Sequence, residues 1–234
     1  MNHRIIGTTM PALEITLQAE EGIVADSGEL SWMTDNINLR TSMQGGGGKG
    51  LFGVIKRAVG GGTLFLTEYT AGQGRSGSVT FATKMPGAIL PITVEPGAGY
   101  MVHRHGFIAA TPGIEVSAGF QRKLGAGIFG GAGLILQRLA GSAHAWVSLS
   151  GEVVTIDLAP GETIKAHPGH VGMFQDRVQF DVTLMKGISN AVFGGDGLFL
   201  ATLTGPGRVW LQTLPLPNLA HALVPYLPTS GDNN

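Results

Sequence analysis

The chain contains no cysteine, so disulfides, thiolate metal sites and cysteine nucleophiles are all excluded. Charge is scarce as well: Asp, Glu, Lys and Arg make up 13% of the 234 residues, against roughly 25% in an ordinary globular domain. With 15 basic and 16 acidic residues, the chain lacks the cationic surplus that drives sequence-independent nucleic-acid binding, and nucleic acid is not an expected partner. No apolar run reaches the roughly 20 residues that cross a bilayer as a helix. The uncharged stretch from Leu124 to Leu136 is broken by five glycines. The opening residues, Met1 to Thr8, hold no apolar signal-peptide core, and the expected location is cytoplasmic.

Glycine is in excess, at 38 positions, more than twice its usual share of about 7%. Hydrophobic residues stand at 43%, enough for a packed core, so disorder is a poor reading of the missing charge.

The chain repeats itself. An aliphatic–Thr–aliphatic triplet followed five positions later by Gly occurs as Ile15-Thr16-Leu17 with Gly22, Ile92-Thr93-Val94 with Gly99, and Val154-Thr155-Ile156 with Gly161. A second pattern interleaves with it. Gly62-Thr63-Leu64-Phe65-Leu66 leads to Gly72, Gly133-Leu134-Ile135-Leu136 to Gly141, and Gly197-Leu198-Phe199-Leu200 to Gly205. Five residues past the last two glycines stand Trp146 and Trp210, and Ser78-Val79-Thr80-Phe81 answers in the first copy. The alternation is that of half-buried strands, and Gly or Pro punctuates it at the spacing of an all-β protein. The expectation is three tandem β units over residues 1–85, 86–150 and 151–214, forming one compact body, with a proline-rich tail over 215–234. Helical spacing occurs in only two places, Lys49 to Val59 and Asn218 to Val224, the second with Asn218 as its cap.

Each unit also carries a glycine-rich hairpin with a Phe-Gly turn, at Phe52-Gly53, Phe129-Gly130 and Phe193-Gly194. The three-fold strand–Gly pattern with this turn resembles the family named for altered inheritance of mitochondria, over roughly residues 10 to 215. That resemblance implies three fused domains similar to the tryptophan RNA-binding attenuation protein, each a short double-stranded β-helix related to the others by a pseudo-threefold. It also implies homotrimers in which nine units close a ring, with no enzymatic activity and no cofactor. Repeated β units leave strand edges open at each end, and a head-to-tail ring removes them.

Candidate chemistry is sparse. Gly97-x5-His103-x-His105 resembles the opening of the cupin metal motif, but the region of Ala109-Ala110 replaces the expected Glu and the nearest acid is Glu115. His167 aligns with His105 in the third copy, and Asp26 stands opposite His103 in the first. A metal site on His103, His105 and His167 is therefore the alternative to a non-enzymatic protein, and needs these residues to share a common axis. Lys49 follows a glycine run, but Gly50 replaces the hydroxyl residue of a phosphate loop. Basic residues such as Lys56-Arg57, Arg122-Lys123 and Arg138 do not recur in register, as RNA held around a ring requires. A third alternative is a small-molecule or RNA binder at the borders between units. The leading expectation is a ring-forming scaffold that meets a partner protein or membrane surface through its hairpins, with Phe52, Phe129 and Phe193 as contact residues.

Overall fold

Alternation of buried and exposed side chains generates almost every element. In the computed structural model, Leu13, Ile15 and Leu17 point into the core while Glu14 and Thr16 face outward, the pattern of a strand with one buried face. The structure describes residues 1–41, 66–72, 74–122, 133–185, 198–223 and 226–227. The three Phe-Gly hairpins and the stripe from Lys49 to Val59 lie outside these residues.

The chain is all-β. It opens with β1 (Asn2–Ile6). Six strands follow: β2 (Ala12–Leu17), β3 (Gly22–Asp26), β4 (Trp32–Met33), β5 (Ile37–Thr41), β6 (Leu66–Ala71) and β7 (Gly77–Ala82). The next six are β8 (Gly87–Val94), β9 (Tyr100–His103), β10 (Phe107–Ala110), β11 (Ile114–Arg122), β12 (Leu134–Gly141) and β13 (Ala143–Ser150). Then come β14 (Val153–Leu158), β15 (Thr163–Ala166), β16 (Val171–Gln175), β17 (Gln179–Met185), β18 (Leu198–Thr204) and β19 (Gly207–Gln212).

All pairings between these strands are antiparallel, and one scheme recurs. The pairs β2–β7, β4–β7, β5–β6 and β3–β6 reappear six strands later as β8–β13, β10–β13, β11–β12 and β9–β12. They appear once more as β14–β19, β16–β19, β17–β18 and β15–β18. Two six-stranded sheets run β5-β6-β3-β10-β13-β8 and β11-β12-β9-β16-β19-β14. Two smaller sheets run β1-β2-β7-β4 and β15-β18-β17.

The core interlocks across this order. Ile15, Tyr69 and Phe81 pack with Ile108 and Trp146, whereas Val24 and Leu66 pack with Val147 and Met173. Leu134 and Leu136 join Phe174, Val182 and Leu203 in a third cluster. The tight turn between β12 and β13 depends on Gly141. Its φ of +105° suits only glycine, and an added Cβ would lie 2.1 Å from the Gly113 carbonyl oxygen.

A short helix, α1 (Leu216–Leu223), follows β19. It begins two residues before Asn218, which lies inside it rather than capping it. The amides of Asn218 and Leu219 both donate to the Pro215 carbonyl, and prolines suit a first turn whose N–H groups have no helical partner.

Candidate functional site

Each six-stranded sheet consists of two three-stranded halves joined at one strand pair. The first joint is β3–β10, where Ala25 faces Ala109 and Val24 faces Ala110. The second is β9–β16, where Val102 faces Met173 and Met101 faces Phe174. An ion pair reinforces the second joint, with Arg138 Nη2 2.6 Å from Asp176 Oδ2. The two smaller sheets each repeat the pairing of one such half. β2-β7-β4 has the pairing of β8-β13-β10, and β17-β18-β15 has that of β11-β12-β9. Among the described residues, β4 pairs only with β7, and β15 pairs only with β18.

Side-chain exposure distinguishes the open ends from the closed joints. By position in the pairing scheme, Trp32 and Met33 correspond to Ala109 and Ala110 and to Met173 and Phe174. The four residues at the closed joints are at most 1% exposed, whereas Trp32 is 54% and Met33 37% exposed. At the other end, β15 presents Thr163 and Lys165 to solvent, while its counterpart β3 is buried along nearly its whole length. Sequence reading did not single out Trp32. Aligning Trp32-Met33-Thr34 with Ala109-Ala110-Thr111 would have marked it as an apolar residue at a joint position.

The turns on one side of the molecule enclose a cavity of about 440 Å³. Its wall combines the turn after β3 (Glu29), the segment after β7 (Thr83, Lys84), the turn after β9 (His103 to His105) and the Pro168-Gly169 turn after β15. Ile108, Leu134 and Val171 supply apolar surface, and Leu216 of α1 lies at the edge. Glu29 Oε1 and Lys84 Nζ form an ion pair of 2.5 Å.

His103 is fixed in the wall. Its Nε2–H donates to the Ser148 carbonyl at 3.0 Å, an assignment that follows because the carbonyl can only accept. Gly106 makes room for the ring, since a Cβ there would lie 2.9 Å from His103 Cδ2. Burial draws the His103 pKa down to about 4, with a smaller contribution from His105 and against the hydrogen bond to Ser148. His105 is also lowered, by burial first and then by the charges of Arg104 and Lys84. Burial and the neighbouring carboxylate of Glu29 push Asp26 up to about 6, against the attraction of Lys84.

The structure brings His103 and His105 to one cavity but does not gather them with His167 and Asp26 as a metal centre. His167 Nδ1 accepts from the Gly169 amide at 3.3 Å, and its ring meets that of His170 at 6.0 Å. Among the described residues, no three His, Asp or Glu side chains are placed to hold one ion. The alignment of His167 with His105 also changes. Asp26 lies level with Leu66, and His103 with Leu136; His167 follows Ala166, the counterpart of Val102, and so corresponds to His103. Phe52, Phe129 and Phe193 lie outside the described residues. Among the described residues, no helix is long and apolar enough to cross a membrane.

Known proteins give these features a setting. A crystal structure of a protein from Streptococcus pyogenes superposes with a TM-score of 0.74 at 21% identity, covering 97% of this chain and 99% of that one. An uncharacterised protein of Streptococcus pyogenes serotype M6 is 28% identical over 226 residues, which are 95% of this chain and 89% of that protein. The family model described as mitochondrial biogenesis AIM24 matches residues 3–214, nearly the whole described body. The chain belongs to the AIM24 family.

Proposed function

We propose that this protein is a non-enzymatic scaffold that closes into a ring, β15 of one copy pairing with β4 of the next. The chain is then three copies of one six-strand module over residues 1–85, 86–150 and 151–214, with the tail over 215–234. The single observation that carries this reading is the division of the sheets into two wholes and two complementary halves. A head-to-tail contact of this kind completes a sheet and repeats until rotation closes it. Three chains is the number that the family resemblance implies.

Register makes the contact specific. Ala25 faces Ala109 and Val102 faces Met173, so the same count sets Ala166 opposite the next copy's Trp32 and Lys165 opposite its Met33. Covering Trp32 and Met33 removes two large apolar side chains from water, at about 1.5–3 kcal/mol for each side chain fully buried. The scaffold's partner, a protein or a membrane surface, is expected at the repeated Phe-Gly hairpins.

Native mass spectrometry at micromolar concentration tests the reading. Three times the 24.3 kDa of one chain is expected, and a spectrum of single chains alone refutes it.

A further inference from the structure

The cavity has no lining residue in β4 or β15, the strands of the proposed ring contact. Its volume of about 440 Å³ lies within the range of roughly 300–1,000 Å³ typical of small-molecule sites. Two different kinds of surface meet there. Ile108, Leu134 and Val171 are all buried and form an apolar wall. Arg104 stands on the turn after β9, its guanidinium without a carboxylate partner among the described residues.

The charges decide the ligand's sign. Lys84 and Glu29 neutralise each other through their 2.5 Å contact, which leaves the Arg104 cation as the net charge among the described lining residues.

We propose that this cavity binds an amphipathic monocarboxylate, its carboxylate on Arg104 and its apolar body against Ile108, Leu134 and Val171. An uncharged amphiphile forfeits the contact with Arg104, and a small polar anion such as acetate forfeits the wall. Because the lining comes from turns after β3, β7, β9 and β15, the occupant touches all three portions of the chain at once.

Decanoate is a suitable probe, titrated by calorimetry into the full-length protein. The proposal predicts one decanoate per chain. It also predicts binding about tenfold weaker to Arg104→Gln, the size expected when an ionised hydrogen-bonded contact is lost. Val171→Trp, which fills the cavity, is expected to abolish binding, and circular dichroism checks that the variant is folded. Decanol at the same concentrations is expected to bind at least tenfold more weakly than decanoate. Absence of saturable decanoate binding overturns the proposal. So does equal affinity for decanol, or an affinity left unchanged by Arg104→Gln.

Discussion

Trp32 and Met173 hold the same place in one pairing scheme, opposite Thr80 and Trp210 respectively, yet Trp32 is 54% exposed and Met173 is not exposed at all. The difference is the strand beyond. Met173 has Val102 of β9 on its other side, whereas among the described residues no second strand pairs with β4 beside Trp32. An apolar edge left open in this way is a template for another strand.

Replacing that side chain tests the edge. Trp32→Asp puts a charge where the proposed joint is apolar, and no core cluster contains Trp32, so the fold of a single chain is expected to survive. Sedimentation velocity is expected to show single chains for the variant and assemblies for the parent, with unchanged circular dichroism. An assembly of unaltered size is the opposing result.

Gly141→Ala probes the fold rather than the assembly. The φ of +105° and a Cβ 2.1 Å from the Gly113 oxygen combine backbone strain with a clash against main chain that has no rotamer to yield. A loss of about 2–4 kcal/mol is expected in urea unfolding, from strain and overpacking together. A loss below about 0.5 kcal/mol, the range of ordinary surface changes, contradicts it.

Asp26 and His103 give the protein two opposite responses to acid. Asp26 titrates near pH 6 when folded, above its ordinary value of 3.8, so the folded state holds the proton more tightly. Its ionisation therefore costs stability above pH 6, and the cost disappears as pH falls towards 3.8. Asp26→Asn is expected to raise the melting temperature at pH 7.5 by roughly 2–4 °C, with the gain vanishing near pH 4. A gain of equal size at both pH values removes Asp26 from the explanation.

For His103 the sign reverses. Its folded value of about 4 lies below the ordinary 6.5, so the unfolded chain takes up the proton first, and stability drains away as pH falls from 6.5 towards 4. His103→Gln keeps a donor for the Ser148 carbonyl but cannot titrate. Thermal melts between pH 7 and pH 4 should fall less steeply for this variant than for the parent. Parallel curves contradict the assignment.

The strands were legible in the sequence because their signal is local. Ile15-Thr16-Leu17 alternates, and Trp146 and Trp210 mark β13 and β19 by themselves. The joints were not legible, since Ala25 meets Ala109 and Val102 meets Met173 across long stretches of chain, with no motif at either side. The bulge after Phe107, repeated after Val171, skips a residue in the pairing, which spacing alone cannot show. The cavity was half visible. His103 and His105 stood out as a metal-like pair, but what surrounds them is Glu29, Lys84 and Arg104, brought together by turns far apart in the sequence.

Cross-linking in the predicted register examines the assembly most directly, because the chain has no cysteine of its own. Facing residues of antiparallel strands have Cα atoms about 4.5–5.5 Å apart, within the range that a disulfide spans. The protein carrying both Met33→Cys and Lys165→Cys should oxidise to a covalent species of three chains that reverts to single chains on reduction. A disulfide formed within one chain, or no disulfide at all under conditions that oxidise free thiols, would contradict the ring.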